Sequence, residues 1–191
     1  HMQANPNKYT LGFFFYKKGV NADADKLEYE AYRQYYSLYG VKPLVKVEGI
    51  RAALEGYKKA YGIRKSAIAL YGVASCQYAL GNYAEAAASL SELNAKFPDD
   101  ERYVPLAYYK MALISLKAGK AEEALKSLEV LYNYRTDSFK DLALIESARI
   151  LDDLGRKADA DEKYKKIVKD FPKSPFFEEA KSKTEGKSKT E

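Results

Sequence analysis

Histidine occurs only at position 1 of this chain, and His1-Met2 reads as an expression-vector scar that is set aside. Without histidine, imidazole acid–base chemistry near neutral pH and imidazole metal ligation are excluded together. Cys76 is the single cysteine, so there is neither an intrachain disulfide nor a thiolate metal cluster. A lone thiol fits the cytosol, and equally a periplasmic protein that needs no disulfide. Tryptophan is absent and prolines number only 6. No stretch approaches the ~18 apolar residues of a membrane span; Leu11 to Tyr16, with Phe13-Phe14-Phe15, is too short. Glycine-rich phosphate loops and nucleophile motifs are lacking as well. These absences predict a protein that is not an enzyme, takes no cofactor or metal and acts on no small-molecule substrate.

What remains is ample for a folded chain. The 191 residues are 47% hydrophobic, too apolar for disorder throughout, and no window alternates like a strand for long. An all-α fold of about nine helices is predicted. The net charge is +5 and the pI about 9.0. Lysines and acids are nonetheless interspersed, as in Lys120-Ala121-Glu122-Glu123 and Lys163-Tyr164-Lys165-Lys166. With no concentrated basic patch, nucleic acid is not an expected partner. The neighbouring acids Glu122-Glu123, Asp152-Asp153 and Glu178-Glu179 point about 100° apart on a helix, and Asp159 and Asp161 are likewise splayed. Such pairs read as solvated faces rather than catalytic dyads.

One frame recurs three times with identical spacing: Ala74…Gly81…Ala86, Ala112…Gly119…Ala124 and Ala148…Gly155…Ala160. Each is followed by an apolar pair, Leu90 and Leu93, Leu128 and Leu131, Tyr164 and Ile167. The first and third close on Phe97-Pro98 and Phe171-Pro172. Gly81 to Gly119 is 38 residues and Gly119 to Gly155 is 36, a period that means stacked helical hairpins. Alanine permits close helix approach, glycine reverses the chain, and proline stops the second helix.

Residues 1–20 read as an N-terminal lead containing the aromatic segment 11–16, whose reading is packing onto the first hairpin. Residues 21–64 read as a degenerate first hairpin. Asn21, Asp23 and Asp25 offer caps for a helix to about Tyr39, and a second helix runs from the Pro43 loop to Tyr61, where Gly62 stops it. Three repeats occupy 65–172, with helices at 65–80 and 83–96, about 104–118 and 121–133, and about 138–154 and 157–170. Ser138 with Asp141 resembles a capping box. Residues 173–184 form a capping helix opened by Ser174-Pro175, with Phe176, Phe177 and Ala180 on its apolar side. The polar Lys-Ser-Lys-Thr-Glu duplication makes 185–191 a disordered tail.

Across about residues 66–172 the chain resembles the tetratricopeptide repeat. Leu70, Ala74, Gly81, Tyr83, Ala86, Leu90 and Pro98 match in the first copy. Tyr108, Ala112, Gly119, Ala124 and Leu128 match in the second, where Thr136 replaces the expected proline. Leu144, Ala148, Gly155, Ala160, Tyr164 and Pro172 match in the third. None carries the family's early tryptophan, so the copies are divergent. The resemblance implies a right-handed superhelical solenoid whose first helices line a concave groove. Its groove columns fall on Ile68, Tyr71, Ser75 and Tyr78; on Leu106, Tyr109, Leu113 and Leu116; and on Leu142, Ile145, Arg149 and Asp152. The lysine–asparagine clamp that holds a carboxylate tail in some members is missing at these columns, which argues against an acidic chaperone tail. Mostly apolar columns suit a hydrophobic peptide or helix, or the chain's own N-terminal aromatic segment; both readings stand.

Tyrosine is abundant, with 18 copies. Tyr29, Tyr32, Tyr36 and Tyr39 make one helix face, read first as core and alternatively as a partner surface. The Phe-Pro junctions and Leu142-Ala143…Glu146-Ser147-Ala148-Arg149-Ile150-Leu151 are similar to the periplasmic domain of the ancillary translocon subunit family (YfgM-like). Outer-membrane assembly lipoproteins with tetratricopeptide repeats are a more distant likeness. The expectation is a non-catalytic, membrane-associated scaffold on the periplasmic face of the cell envelope, anchored through residues preceding Gln3. The alternative is a cytosolic adaptor or enzyme-regulatory subunit.

Overall fold

The computed structural model describes residues 8–36 and 43–186, with side chains described for 19–35 and 46–186. Nine α-helices and no strand occur among the described residues. They divide into two compact units, residues 1–98 and 99–191. The first contains α1 (Lys8–Tyr36), α2 (Pro43–Ile63), α3 (Ala67–Ala79) and α4 (Tyr83–Lys96). The second contains α5 (Tyr103–Lys117), α6 (Ala121–Asn133), α7 (Lys140–Asp153), α8 (Lys157–Asp170) and α9 (Phe177–Glu185). Within each unit successive helices pack as hairpins, consistent with a tetratricopeptide solenoid.

The recurring frame performs the same physical task in α3–α4, α5–α6 and α7–α8. Gly81, Gly119 and Gly155 all have positive φ, at 81°, 72° and 75°. This is the left-handed region, in which a Cβ is costly. The turn around each closes identically: Asn82, Lys120 and Arg156 donate their N–H to Gln77, Ser115 and Leu151 carbonyls at 2.8–2.9 Å, the long bond of a Schellman stop. The alanines flanking these turns lie where helices cross. Ala86, Ala124 and Ala160 have no exposed surface, as the repeat frame requires. The following apolar pairs, Leu90 and Leu93, Leu128 and Leu131, Tyr164 and Ile167, are buried too. Phe97 and Phe171 end α4 and α8 with nearly the same backbone angles before their prolines.

The second copy, with Thr136 in place of proline, ends differently. α6 ends at Asn133 with Tyr134 as an extended cap, and Phe139 precedes α7 at φ 67°, a left-handed conformation rare for a non-glycine residue. Ser138 does not cap α7. The Asp141 carboxylate instead accepts the Ser174 hydroxyl at 2.6 Å, joining α7 to the α8–α9 loop. Ser174 also accepts the Phe176 N–H, a bond within the loop; the predicted serine cap is not formed, because α9 starts later, at Phe177, with Phe176 in the cap position and no side-chain cap. That helix ends at Glu185, one residue beyond the predicted 184; of the predicted tail at 185–191, residues 187–191 lie outside the described residues.

α1 departs most from the sequence reading. It begins at Lys8, taking in most of the predicted lead, and Asn21, Asp23 and Asp25 fall inside it rather than at its start. No proline interrupts residues 8–36, and their two glycines, Gly12 and Gly19, each cost a helix only about 1 kcal/mol. Its last predicted turn, Ser37 to Tyr39, lies outside the described residues. α2 likewise passes Gly62 to end at Ile63. Ala31 lies opposite Gly56, and Arg64, just past α2, pairs with Asp25 at 2.6 Å and Glu28 at 3.1 Å. The C-terminal tip of α2 is therefore level with Asp25–Glu28. Residues 8–23 of α1 continue beyond it as an arm about 24 Å long at 1.5 Å per residue.

Candidate functional site

In the first unit, Ile68, Tyr71 and Tyr78 are half-buried on α3, whereas Ser75 is buried. Tyr78 packs back onto its own hairpin, its ring 5.3 Å from that of Tyr83 and tilted by 60°. In the second unit, Leu106, Tyr109 and Leu113 are half-buried on α5, and Leu116 is 36% exposed. These four residues are spaced 3, 4 and 3, so the helical period aligns them along one strip. Tyr109 also packs against the core formed by Ala112, Leu128 and Leu131.

The third copy lacks such a strip. Ile145 is fully buried in the core beneath α8 and α9, so it does not line a groove. Arg149 is engaged within the protein: it donates to Glu179 at 2.6 and 3.0 Å and to Glu146 at 2.7 Å. Its guanidinium also lies 5.8 Å from the Phe176 ring centroid. Hydrogen bonding to Glu179 raises the Arg149 pKa although burial opposes it, and the Glu146 contacts add to the rise. The Glu179 carboxyl is correspondingly held below the usual carboxylate range. Asp152 accepts the Tyr164 hydroxyl at 3.0 Å and pairs with Lys157 at 3.3 Å and Lys183 at 3.4 Å. Burial alone would raise its pKa, but these donors together pull it down. Tyr164 is pushed up by burial and by its bond to Asp152. α9 thus occupies the face of α7 that the repeat columns assigned to a ligand.

A second feature was not legible in the sequence. A cleft of about 600 Å³ opens between α6 and α8, floored by α7. Leu125, Tyr132, Leu144 and Leu151 supply its apolar lining. Arg156, the residue before α8, reaches Glu122 in the first turn of α6 at 3.1 Å and Asp159 at 2.8 Å. Glu122 and Asp159, each splayed from its neighbour, are brought together by hairpin stacking. Toward the other end of α6, Lys140 and Lys166 lie 5.7 and 5.3 Å from the Tyr132 ring. Charged residues at the predicted spacing showed solvated faces; only the neighbouring hairpin makes a cleft of them. Among the described residues, no group of three or more His, Cys, Asp or Glu side chains could hold a metal ion. No helix among them is long and apolar enough to cross a membrane.

The tetratricopeptide repeat pattern matches residues 68–100, 106–138 and 142–174, just over half of the chain. Each match spans one of the hairpins α3–α4, α5–α6 and α7–α8. The chain belongs to the tetratricopeptide repeat family. Its repeats are those of a protein–protein interaction scaffold; such repeats are usually non-catalytic, and no catalytic family matches the chain. No curated protein matches the sequence.

Proposed function

We propose that this protein is a non-catalytic scaffold of the bacterial cell envelope that binds a protein or peptide through apolar strips on the first helices of its repeats. The observation that carries the reading is the Leu106–Tyr109–Leu113–Leu116 strip on α5, which ends in an exposed leucine. Ile68, Tyr71 and Tyr78 supply a shorter strip in the first unit. An amphipathic helix or extended apolar peptide gains about 25 cal/mol for each Å² of apolar surface it removes from water there. Arg149 serves to hold α9, so ligand contact is assigned to α3 and α5 and not to α7. The envelope location rests on the resemblance of the Phe-Pro junctions to those of periplasmic repeat proteins.

Photo-crosslinkers placed at Leu116 and, separately, at exposed Glu129 on α6 test the surface in intact cells. Adducts from Leu116 with secretion or outer-membrane assembly proteins are expected. Adducts from Glu129 alone would move binding to the outer side. Adducts solely with cytosolic proteins would replace the envelope reading with that of a cytosolic adaptor.

A further inference from the structure

The cleft of the second unit has two apolar stations along its length and charged groups at each end. Leu125 and Tyr132 stand seven residues apart on its α6 wall, and Leu144 and Leu151 seven apart on its α7 floor. That wall and the floor run in opposite directions. Lys140, which opens α7, lies 5.7 Å from the Tyr132 ring near the end of α6, and Arg156, just past α7, reaches Glu122 near its start. Leu125 therefore stands with Leu151, and Tyr132 with Leu144, two turns or about 10.5 Å apart. The α8 wall runs in the same direction as α6. Glu122 and Asp159, each in the first turn of its helix, share Arg156 at one end, and Lys166 lies 5.3 Å from the Tyr132 ring toward the other. A groove between two parallel helices over a third accepts a further helix through interlocking side-chain ridges. Along their length helical walls present no unpaired backbone groups, so an extended peptide would leave the N–H and C=O groups on its buried side unmatched there.

We propose that this cleft is a docking site, separate from the strips on α3 and α5, for an amphipathic helix of another protein that lies antiparallel to α6 and α8. Large apolar side chains seven residues apart on that helix enter the two stations. Charge sets its direction. At the end where α6 and α8 begin, Arg156 offsets one of the two acids Glu122 and Asp159 and leaves the group negative. Toward the other end, Lys140 and Lys166 bring two ammonium groups to Tyr132, which itself lines the cleft. Asp137 also pairs with Lys140 at 3.2 Å, and Asp170 with Lys166 at 3.9 Å. Between the ends, Lys126 and Lys163 balance Glu129 and Glu162. An antiparallel helix sets an acidic first turn beside Lys140 and Lys166 and a basic last turn beside Glu122 and Asp159, and its dipole opposes those of both walls. The reverse direction sets acid on acid and aligns all three dipoles. The cleft shares no residue with the α3 and α5 strips, so it holds or fails separately from them.

A phage-displayed library of helical peptides tests the site on the full chain, with large apolar residues fixed at two positions seven apart and all others varied. Recovered peptides should carry Asp or Glu in the first turn and Lys or Arg in the last. Lys140→Glu with Lys166→Glu should raise the dissociation constant of a synthetic peptide of that pattern about tenfold. The same peptide with Lys replacing its first-turn acids should regain the affinity on that double variant, which separates a lost charge contact from a folding defect. A photo-crosslinker at Lys126, on the α6 wall, should label the peptide, and one at Leu116 should not. Failure to recover any peptide, an affinity indifferent to the double variant, or labelling only from Leu116 would each overturn the proposal. Self-association of the chain alone that the double variant abolishes would assign the cleft to a second copy and overturn it as well.

Discussion

Ala124→Leu tests the crossing at which α6 meets its neighbours. Ala124 is entirely buried, in a cluster with Ala112, Leu128, Leu131, Ala143 and Ile150. Leucine adds three carbon atoms where helices on both sides have approached because the residue is small. Transfer from water would favour those carbons by roughly 0.8 kcal/mol each, but only if space existed. In a filled crossing the helices must separate or the side chains leave their rotamers, which costs about 1–3 kcal/mol. The net loss should lower the melting temperature of the second unit by several degrees. Thermal unfolding followed by circular dichroism measures it, with Glu129→Leu on the exposed side of α6 as a control expected to melt close to the parent. Equal melting of Ala124→Leu and the parent would show that the alanine–glycine–alanine frame does not mark the crossing, and the register of the repeats would fall with it.

Gly119→Ala places a Cβ at φ 72° and should cost about 1–2 kcal/mol in chemical denaturation; a neutral effect would mean that the turn is not left-handed in solution. Thr136 Oγ1 is buried without a hydrogen-bond partner, so Thr136→Val should stabilise the second unit by about 1 kcal/mol, and a lower denaturation midpoint would contradict that. Because Arg149 depresses the Glu179 pKa, their contact should contribute fully above the ordinary glutamate range, near pH 4.5, and fade as pH falls through the lower folded value. Hydrogen exchange in α9 as a function of pH reads this, and Glu179→Gln should abolish the acid-range change while protection at neutral pH drops. Tyr164→Phe removes a donor to Asp152 and should cost on the order of 1 kcal/mol, with the Asp152 carboxyl moving up in a carbon-13 titration.

Local chemistry made part of this structure legible in the chain itself. A glycine seven residues after one alanine and five before the next constrains its own backbone and the two helices beside it. Gly81, Gly119 and Gly155 therefore mark their turns, and Ala86, Ala124 and Ala160 mark the crossings, with no knowledge of distant partners. The Phe97-Pro98 and Phe171-Pro172 stops are local in the same sense. Cap residues proved weaker evidence, because Asn21, Asp23 and Asp25 also tolerate the interior of a helix that nothing else breaks. Periodicity identifies the faces of a helix, but not which neighbour covers each one. Tyr29 and Tyr32 lie outward because α2 packs on the Ala24–Ala31 side of α1. Arg149 and Asp152 occupy ligand columns by spacing, yet α9 arrives over them from 30 residues away and binds them with Glu179 and Lys183. The meeting of Arg156 with Glu122 and the cleft beside them arise only when α8 is placed along α6. Turns and helices follow from interactions within a few residues along the chain, whereas exposure, charge pairing and clefts depend on surfaces that come together only on folding.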